Sequence, residues 1–299
     1  MSDRLSGYGF ILLAALCWGL LGPVARVALS EGVLPLEVAF WRAVIGGGLF
    51  GVHALLLGWR SSDVRRWRIR REDRAVVVAF GLVGVSLFYS AYQFAVEAGG
   101  AALASVLLYT APGWVVLIGW WGLGERLTVQ KGLAVALTLL GVAGIAVAGA
   151  GSVRITWTAV GWGLASGLSY ALYYPFGKRY FEAYTPAVLF AVALPIGAVG
   201  LAPLVAFSPK PQMAWWALGF IGVVSTYGAY LAYAAGLQRL EASRASIVAT
   251  LEPVVAAGVA HAWWGERFGG WGYAGAMLVL GAAFLAAAAP ADRAAPASG

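Results

Sequence analysis

Ten apolar stretches, most of them about twenty residues long, leave this chain one broad option. About twenty apolar residues in a helix cross the ~30 Å hydrocarbon core of a bilayer, and no soluble fold needs so many segments of that length. The stretches run over residues 8–29, 35–57, 75–96, 101–123, 132–150, 158–177, 186–207, 214–237, 243–264 and 270–289. Composition agrees, with 61% hydrophobic and only 11% charged residues where soluble domains carry roughly 25% charged. The expected fold class is all-α, a polytopic membrane protein with ten transmembrane helices. Residues 7–29 follow a short polar start, but the stretch is long and its pattern recurs, so it is read as the first span and not as a cleavable leader.

Several function classes fall away on residue counts. The single cysteine, Cys17, cannot form an internal disulfide. Two histidines, His53 and His261, are too few for a histidine-based metal site, and no Ser-His-Asp arrangement suggests itself from them. No GxxxxGK[ST] phosphate loop and no His-Glu-x-x-His site occurs. No cofactor, metal or catalytic residue is therefore expected. The formal charge of +7 does not point to nucleic acid, because the basic residues sit in short loops between spans. Lysine and arginine favour cytoplasmic loops. With the N-terminus inside, fifteen of the 20 basic residues fall inside, among them Arg4, Arg60, Arg65, Arg66, Arg68, Arg70, Arg71, Arg74 and Arg126. Only Arg154, Lys210 and Arg267 fall outside, and Arg26 and Arg42 lie within spans. Both termini are placed in the cytoplasm, and the basic run after the second span is read as a topology anchor.

The chain also repeats itself. Ala104 and Ala245, Ser105 and Ser246, Pro112 and Pro253, and Glu125 and Glu266 are each 141 residues apart. The last pair lies in two Gly-Glu-Arg tripeptides, at 124–126 and 265–267. Five spans per copy is an odd number, so the two copies must cross the membrane in opposite senses. The division is residues 1–151 for the first unit, 152–289 for the second, inverted unit, and 290–299 for a small polar tail read as disordered and cytoplasmic. Inverted repeats are a common plan for secondary transporters, with the site near the midplane between the halves.

These features resemble a known family. Two five-span units, each with a mid-span proline followed by Gly-Glu-Arg, are similar to the EamA-type permeases of the drug/metabolite transporter superfamily. Thr250-Leu251-Glu252-Pro253 and Phe40-Trp41-Arg42 match recurring features of that family, and the likeness covers about residues 7–288. The first copy departs from it, with Ala111 where an acid often precedes the proline, which argues against a paired-carboxylate mechanism. The abundance of aromatics resembles the YddG-type aromatic-amino-acid exporters. The resemblance implies ten helices around a central cavity and export of small metabolites.

Candidate site residues follow from polar groups inside spans, which usually face a bundle interior or a watery cavity. Glu252 sits mid-span beside Pro253, and a carboxyl group at that depth is a candidate for proton coupling. Pro112 and Pro253 each remove a helix hydrogen bond and are expected to bend their spans as hinges. Arg42 could snorkel outward, hold a carboxylate, or pair with Glu37 or Glu252. Tyr89, Tyr92 and Gln93 share one helix face through their i, i+3, i+4 spacing. Tyr170, Tyr173 and Tyr174 repeat that spacing, and Tyr227, Tyr230 and Tyr233 run i, i+3, i+6. Trp18 and Tyr109 complete the expected cavity: Trp18, Arg42, Tyr89, Tyr92, Gln93, Tyr109, Tyr170, Tyr173, Tyr227, Tyr230 and Glu252. Tyr233, Trp120, Trp121, Trp263, Trp264 and Trp271 lie near span ends and read instead as an interfacial belt. Glycines at 46–48, 141, 144, 161, 163 and 167 read as packing positions.

The function expected is export of amino acids, aromatic ones first, or of related small metabolites, across a bacterial-type inner membrane by alternating access. A multidrug exporter of the same fold is the first rival, and a membrane-embedded lipid enzyme the second. The expected partners are a small-molecule substrate and the lipid bilayer, with no nucleic acid; the sequence leaves oligomeric state open, a monomer being sufficient.

Overall fold

The computed structural model describes residues 2–60, 68–148, 154–265 and 269–288. Arg65, Arg66, Glu266, Arg267 and the expected tail 290–299 lie outside the described residues, as does the expected boundary at 151–152. The described chain is helical throughout, as a bilayer demands, because only a helix or a closed barrel satisfies every backbone polar group in hydrocarbon. Among the described residues nine helical runs are long and apolar enough to cross a membrane. The protein is a polytopic α-helical membrane protein.

Several of these runs are built from two helices. The first comprises α1 (Ser2–Gly19) and α2 (Leu21–Ser30), followed by α3 (Pro35–Arg60). The third joins α4 (Arg71–Phe80) to α5 (Phe88–Gly99) through a π-helical segment at Gly81–Leu87. Next come α6 (Ala101–Leu108), α7 (Ala111–Gly122) and α8 (Val129–Ala148). The sixth stretch of the sequence folds as α9 (Trp157–Ala171) and α10 (Tyr173–Tyr180), whose last turn is basic, and it is not among the nine. α11 (Pro186–Leu201) precedes α12 (Gln212–Phe220), a second π segment at Ile221–Gly228, and α13 (Ala229–Leu237). α14 (Ala242–Ala249), α15 (Glu252–Trp264) and α16 (Gly270–Ala288) end the fold.

The prolines act differently from a mid-helix bend. Pro112 and Pro253 lie in the first turns of α7 and α15, where a missing N–H costs nothing. The helix stops before them, at Tyr109–Thr110 and Thr250–Leu251. Thr110 Oγ1 and Thr250 Oγ1 donate back to the Leu107 and Ile247 carbonyls at 2.6 and 2.5 Å, carbonyls that also accept the Thr110 and Thr250 N–H groups in the turn at the break. Elsewhere the starts are side-chain capped: Thr156 accepts from Ala159 N for α9, and Thr185 accepts from Val188 N for α11. Gly100, with φ +93°, lets α5 turn directly into α6.

Packing pairs distant helices. α8 lies against α16, running the opposite way: Gly141 approaches Gly275 and Val279, while Gly144 approaches Trp271 and Gly275. A Cβ on Gly275 would stand 2.4 Å from the Gly141 carbonyl oxygen, so this contact admits only glycine. Close approach through small residues is the usual route to helix association in lipid. α3 packs on α11, with Gly46 and Gly47 against Leu194 and Pro195, and α5 on α9, as α1 does on α13. Trp120, Trp121, Trp263, Trp264 and Trp271 are exposed, as belt residues are. Tyr233 is not one of them. It is 1% exposed, and its hydroxyl donates to the Tyr173 carbonyl at 2.7 Å, since it faces α10 inside the bundle.

Candidate functional site

Between the helices lies a cavity of about 1010 Å³. Its floor is near the breaks in the first, fourth and eighth runs, where Trp18, Tyr109 and Glu252 line it. It extends to one face of the protein, past Arg26 and Leu29 on α2, Gly100 and Ala101 at the α5–α6 turn, and Trp264 at the end of α15. The Arg26 guanidinium lies 4.6 Å from the centroid of the Trp264 ring at this rim. A second chamber of about 50 Å³ shares Trp18, Arg42 and Glu252 with the first and continues among Tyr170, Tyr173, Tyr174, Tyr230 and Tyr233.

The expected residues divide among several places. Trp18, Arg42, Tyr89, Tyr92, Gln93, Tyr109, Glu252 and Pro253 line the larger cavity. Tyr170, Tyr173 and Tyr230 line the smaller one. Tyr227 lies against Phe50 and His53, its hydroxyl 3.0 Å from His53 Nδ1, and lines neither. Pro112 is buried at the start of α7. The lining also includes Phe88 and Ser105, which periodicity did not select, and Tyr174, which shared the spacing of Tyr170 and Tyr173 but was not among the expected cavity residues. Tyr92 and Ser105 share a hydrogen bond of 3.3 Å, and Gln93 Nε2 donates to Glu97 at 3.4 Å.

Two charges stand out in this lining. Arg42 Nε donates to Thr226 Oγ1 at 3.2 Å, and its guanidinium lies 4.8 Å from the Tyr89 ring centroid. Of the options the sequence left open for Arg42, pairing with Glu37 does not occur. Glu37 is fully buried and ion-paired with Lys210, and it also accepts from Ser208 Oγ at 2.9 Å. Lys210 in turn sits 5.5–5.9 Å from the rings of Trp41, Phe207 and Trp215, so the acid near Arg42 in sequence is consumed by a different cation. Glu252 opens α15, where the helix dipole favours a negative group. Arg42 and the Tyr109 hydroxyl are its nearest polar influences.

A web of tyrosines separates the chambers from the other face. Tyr89 and Tyr230 meet hydroxyl to hydroxyl at 3.2 Å, and Tyr230 donates to Tyr173 at 3.1 Å. Trp18 packs edge-on to Tyr230, with centroids 6.1 Å apart. Below that web a charged cluster closes the structure. The Glu125 carboxylate accepts from Ala242 N at 2.5 Å, from Ser243 N at 3.2 Å, and from the Ser243 hydroxyl, capping α14. Lys131 stands 3.8 Å from Glu125 and 3.0 Å from Glu241, and Arg244 reaches Glu241 at 2.9 Å. Burial opposes ionisation of Glu241, but the hydrogen bonds from Arg244 and Lys131 outweigh it and hold its carboxyl below the usual carboxylate range. Asp3 and Arg239 add a pair at 3.0 Å on the same face.

A multi-pass helical bundle with a cavity open to one face, sealed on the other and carrying a few polar groups in a mostly apolar lining is the architecture of a membrane transporter. The model of the EamA-like transporter family matches twice, over residues 5–147 and 157–288. The chain belongs to that family. It is 29% identical over 283 residues to a probable terminal-alkyne amino-acid exporter of Streptantibioticus cattleyicolor, covering 90% of this chain and 91% of that one. It is 28% identical over 288 residues to the uncharacterized transporter YwfM of Bacillus subtilis, covering 93% of each. A solved crystal structure matches its fold with a TM-score of 0.79 at 20% identity, covering 95% of this chain and 96% of the other.

Proposed function

We propose that this transporter exports amino acids, aromatic ones first, or related small metabolites across the bacterial cytoplasmic membrane by alternating access. One observation carries the reading: a cavity of about 1010 Å³, polar at mid-depth, opens to one face while a buried ion cluster seals the other. The volume suits a small metabolite. The probable terminal-alkyne amino-acid exporter of Streptantibioticus cattleyicolor, similar over most of its length, supports the substrate class.

Two inverted five-helix units, residues 1–151 and 152–289, supply the moving parts, and α9 with α10 makes the tenth span. Several observations support that division. The π segments begin at Gly81 and Ile221, and the breaks before Pro112 and Pro253 occupy matching places in the two halves. Tyr89 and Tyr230, 141 residues apart, touch each other, and α8 runs antiparallel to α16. The loop arginines and lysines orient both termini to the cytoplasm, so the cavity faces outward and the ion cluster faces the cytoplasm. Trp18, Arg42, Tyr89, Tyr92, Gln93, Tyr109, Tyr170, Tyr173, Tyr230 and Glu252 form the substrate path, and Glu252 carries the proton in any coupled cycle. Tyr227 supports that path from behind through Phe50. Pro112 and Pro253 mark the hinges.

The test is flux of labelled phenylalanine, tyrosine, tryptophan and leucine in liposomes containing the purified protein, with and without a pH gradient. Flux of at least one is expected; none for any amino acid defeats the substrate class. Flux indifferent to the gradient removes the proton role of Glu252. Tyr89→Ala, Tyr92→Ala and Glu252→Gln should each lower flux with folding intact, and normal flux in all three overturns the proposed path.

A further inference from the structure

Arg42 and Glu252 are opposite charges deep in one protein, and neither is neutralised by it. Arg42 Nε is engaged by Thr226, but its two Nη groups have no hydrogen-bonded partner among the described residues. Glu252 has no ion-pair partner among them either. The two groups are near enough for each charge to act on the other, yet too far apart to pair directly. Both line the large cavity and the small chamber, so they flank the same space. Unpaired charge at such depth is expensive, and burying it alone is rarer than burying it with a complement.

We infer that Arg42 and Glu252 form a two-point clamp for a zwitterion, with the guanidinium holding the substrate's carboxylate and the Glu252 carboxylate holding its ammonium group. This rests on the amino-acid reading above and sharpens it to a recognition rule. A planar guanidinium fork suits a carboxylate. Thr226 on one side and the Tyr89 ring on another hold it in place, so it is presented and not free to snorkel. The ammonium end meets a carboxylate fixed at the first residue of a helix. At this depth each charge occurs once: Arg26, the other cation of the lining, stands at the rim against Trp264, and Ala111 stands at the place in the first half that Glu252 occupies in the second. A bound zwitterion therefore has one orientation and bridges α3 to α15. The side chain of the ligand is left facing the small chamber, where the Tyr174 hydroxyl is buried without a partner.

Binding is measured on the purified full-length protein with three probes: phenylalanine, 3-phenylpropanoate, which lacks the ammonium group, and 2-phenylethylamine, which lacks the carboxylate. The wild type should bind phenylalanine about tenfold to a hundredfold tighter than either analogue, the range for losing one charge-assisted contact. Glu252→Gln should erase the preference over 3-phenylpropanoate and keep that over the amine. Arg42→Gln should do the reverse. Equal binding of all three by the wild type overturns the clamp while leaving amino-acid transport standing, and this comparison needs no variant to fold. Variants that bind and yet leave both preferences unchanged overturn it too. Binding of none of the three, together with no amino-acid flux, sinks the transport reading itself.

Discussion

Removing the Glu125 carboxylate should unlatch the sealed face. Its side chain is 8% exposed and serves two backbone N–H groups, the Ser243 hydroxyl and Lys131 at once. Breaking a buried charged pair costs about 3–5 kcal/mol when one partner is left behind, and a lost N-cap alone costs ~1 kcal/mol. These terms overlap, so ~3 kcal/mol is a fair total. The share carried by Ala242 N, Ser243 N and the Ser243 hydroxyl, charge-assisted bonds of about 1.5–3 kcal/mol each, belongs to the sealed state, because Glu125 lies on the turn after α7 and these donors begin α14, which should separate when this face opens; the contact with Lys131, on α8, stays within one half. At 1.4 kcal/mol per decade, Glu125→Ala should raise the population open on this face roughly 100-fold. The reporter should be a site that is buried now and wetted then. Ser246 fits: it is 2% exposed, and Ser105, 141 residues earlier, already lines the open cavity. With Cys17→Ala removing the native thiol, the Ser246→Cys thiol should react with a small maleimide about two orders of magnitude faster when Glu125→Ala is added. A change of less than threefold, in protein that still binds ligand, would mean that the cluster is mere surface charge.

Further outcomes follow from the packing and the loops. Gly275→Leu should lower the melting temperature markedly, because its first carbon alone meets Gly141 backbone at 2.4 Å, and overpacking costs ~1–3 kcal/mol; an unchanged Tm refutes the α8–α16 contact. Lys210→Met leaves the fully buried Glu37 unpaired and should cost about 3–5 kcal/mol. The double variant Lys210→Met with Glu37→Gln should recover much of that, and simple additivity in a denaturation cycle contradicts the pairing. The depressed carboxyl of Glu241 stabilises the fold above the ordinary carboxylate pKa of ~4.3, and that contribution disappears as pH falls through its lower folded value. Tm measured from pH 3 to 6 should therefore rise less steeply in Glu241→Gln than in wild type; identical slopes refute the linkage.

Nine of the ten apolar stretches were legible as spans because length and hydropathy are chain-local properties, and the 141-residue spacing is a sequence pattern of the same local kind. Helix faces were harder to read. The spacing of Tyr227, Tyr230 and Tyr233 assumed an unbroken α-helix, yet the π segment ends at Gly228 and shifts the phase between the first and second of them. Tyr227 consequently turns to His53, while Tyr230 enters the tyrosine web. Tyr233 looked interfacial by its place in the span, but α10 covers it, a tertiary fact that no local pattern carries. Arg42 illustrates the same limit. Its nearest acid in sequence, Glu37, is claimed by Lys210 from a loop 173 residues further on, whereas Glu252, from the far end of the chain, faces the same space.

The hydroxyl contact between Tyr89 and Tyr230 has a geometric consequence. When two halves trade shapes by a half-turn, every atom is displaced except those on the line about which they trade, and matching residues can touch each other only there. If the two halves are the inverted units proposed above, these two oxygens, 3.2 Å apart, would straddle that line. On that reading they would form the fulcrum of the rocking cycle, and theirs is the hydrogen bond expected to persist unchanged while the mouths at either end open and shut.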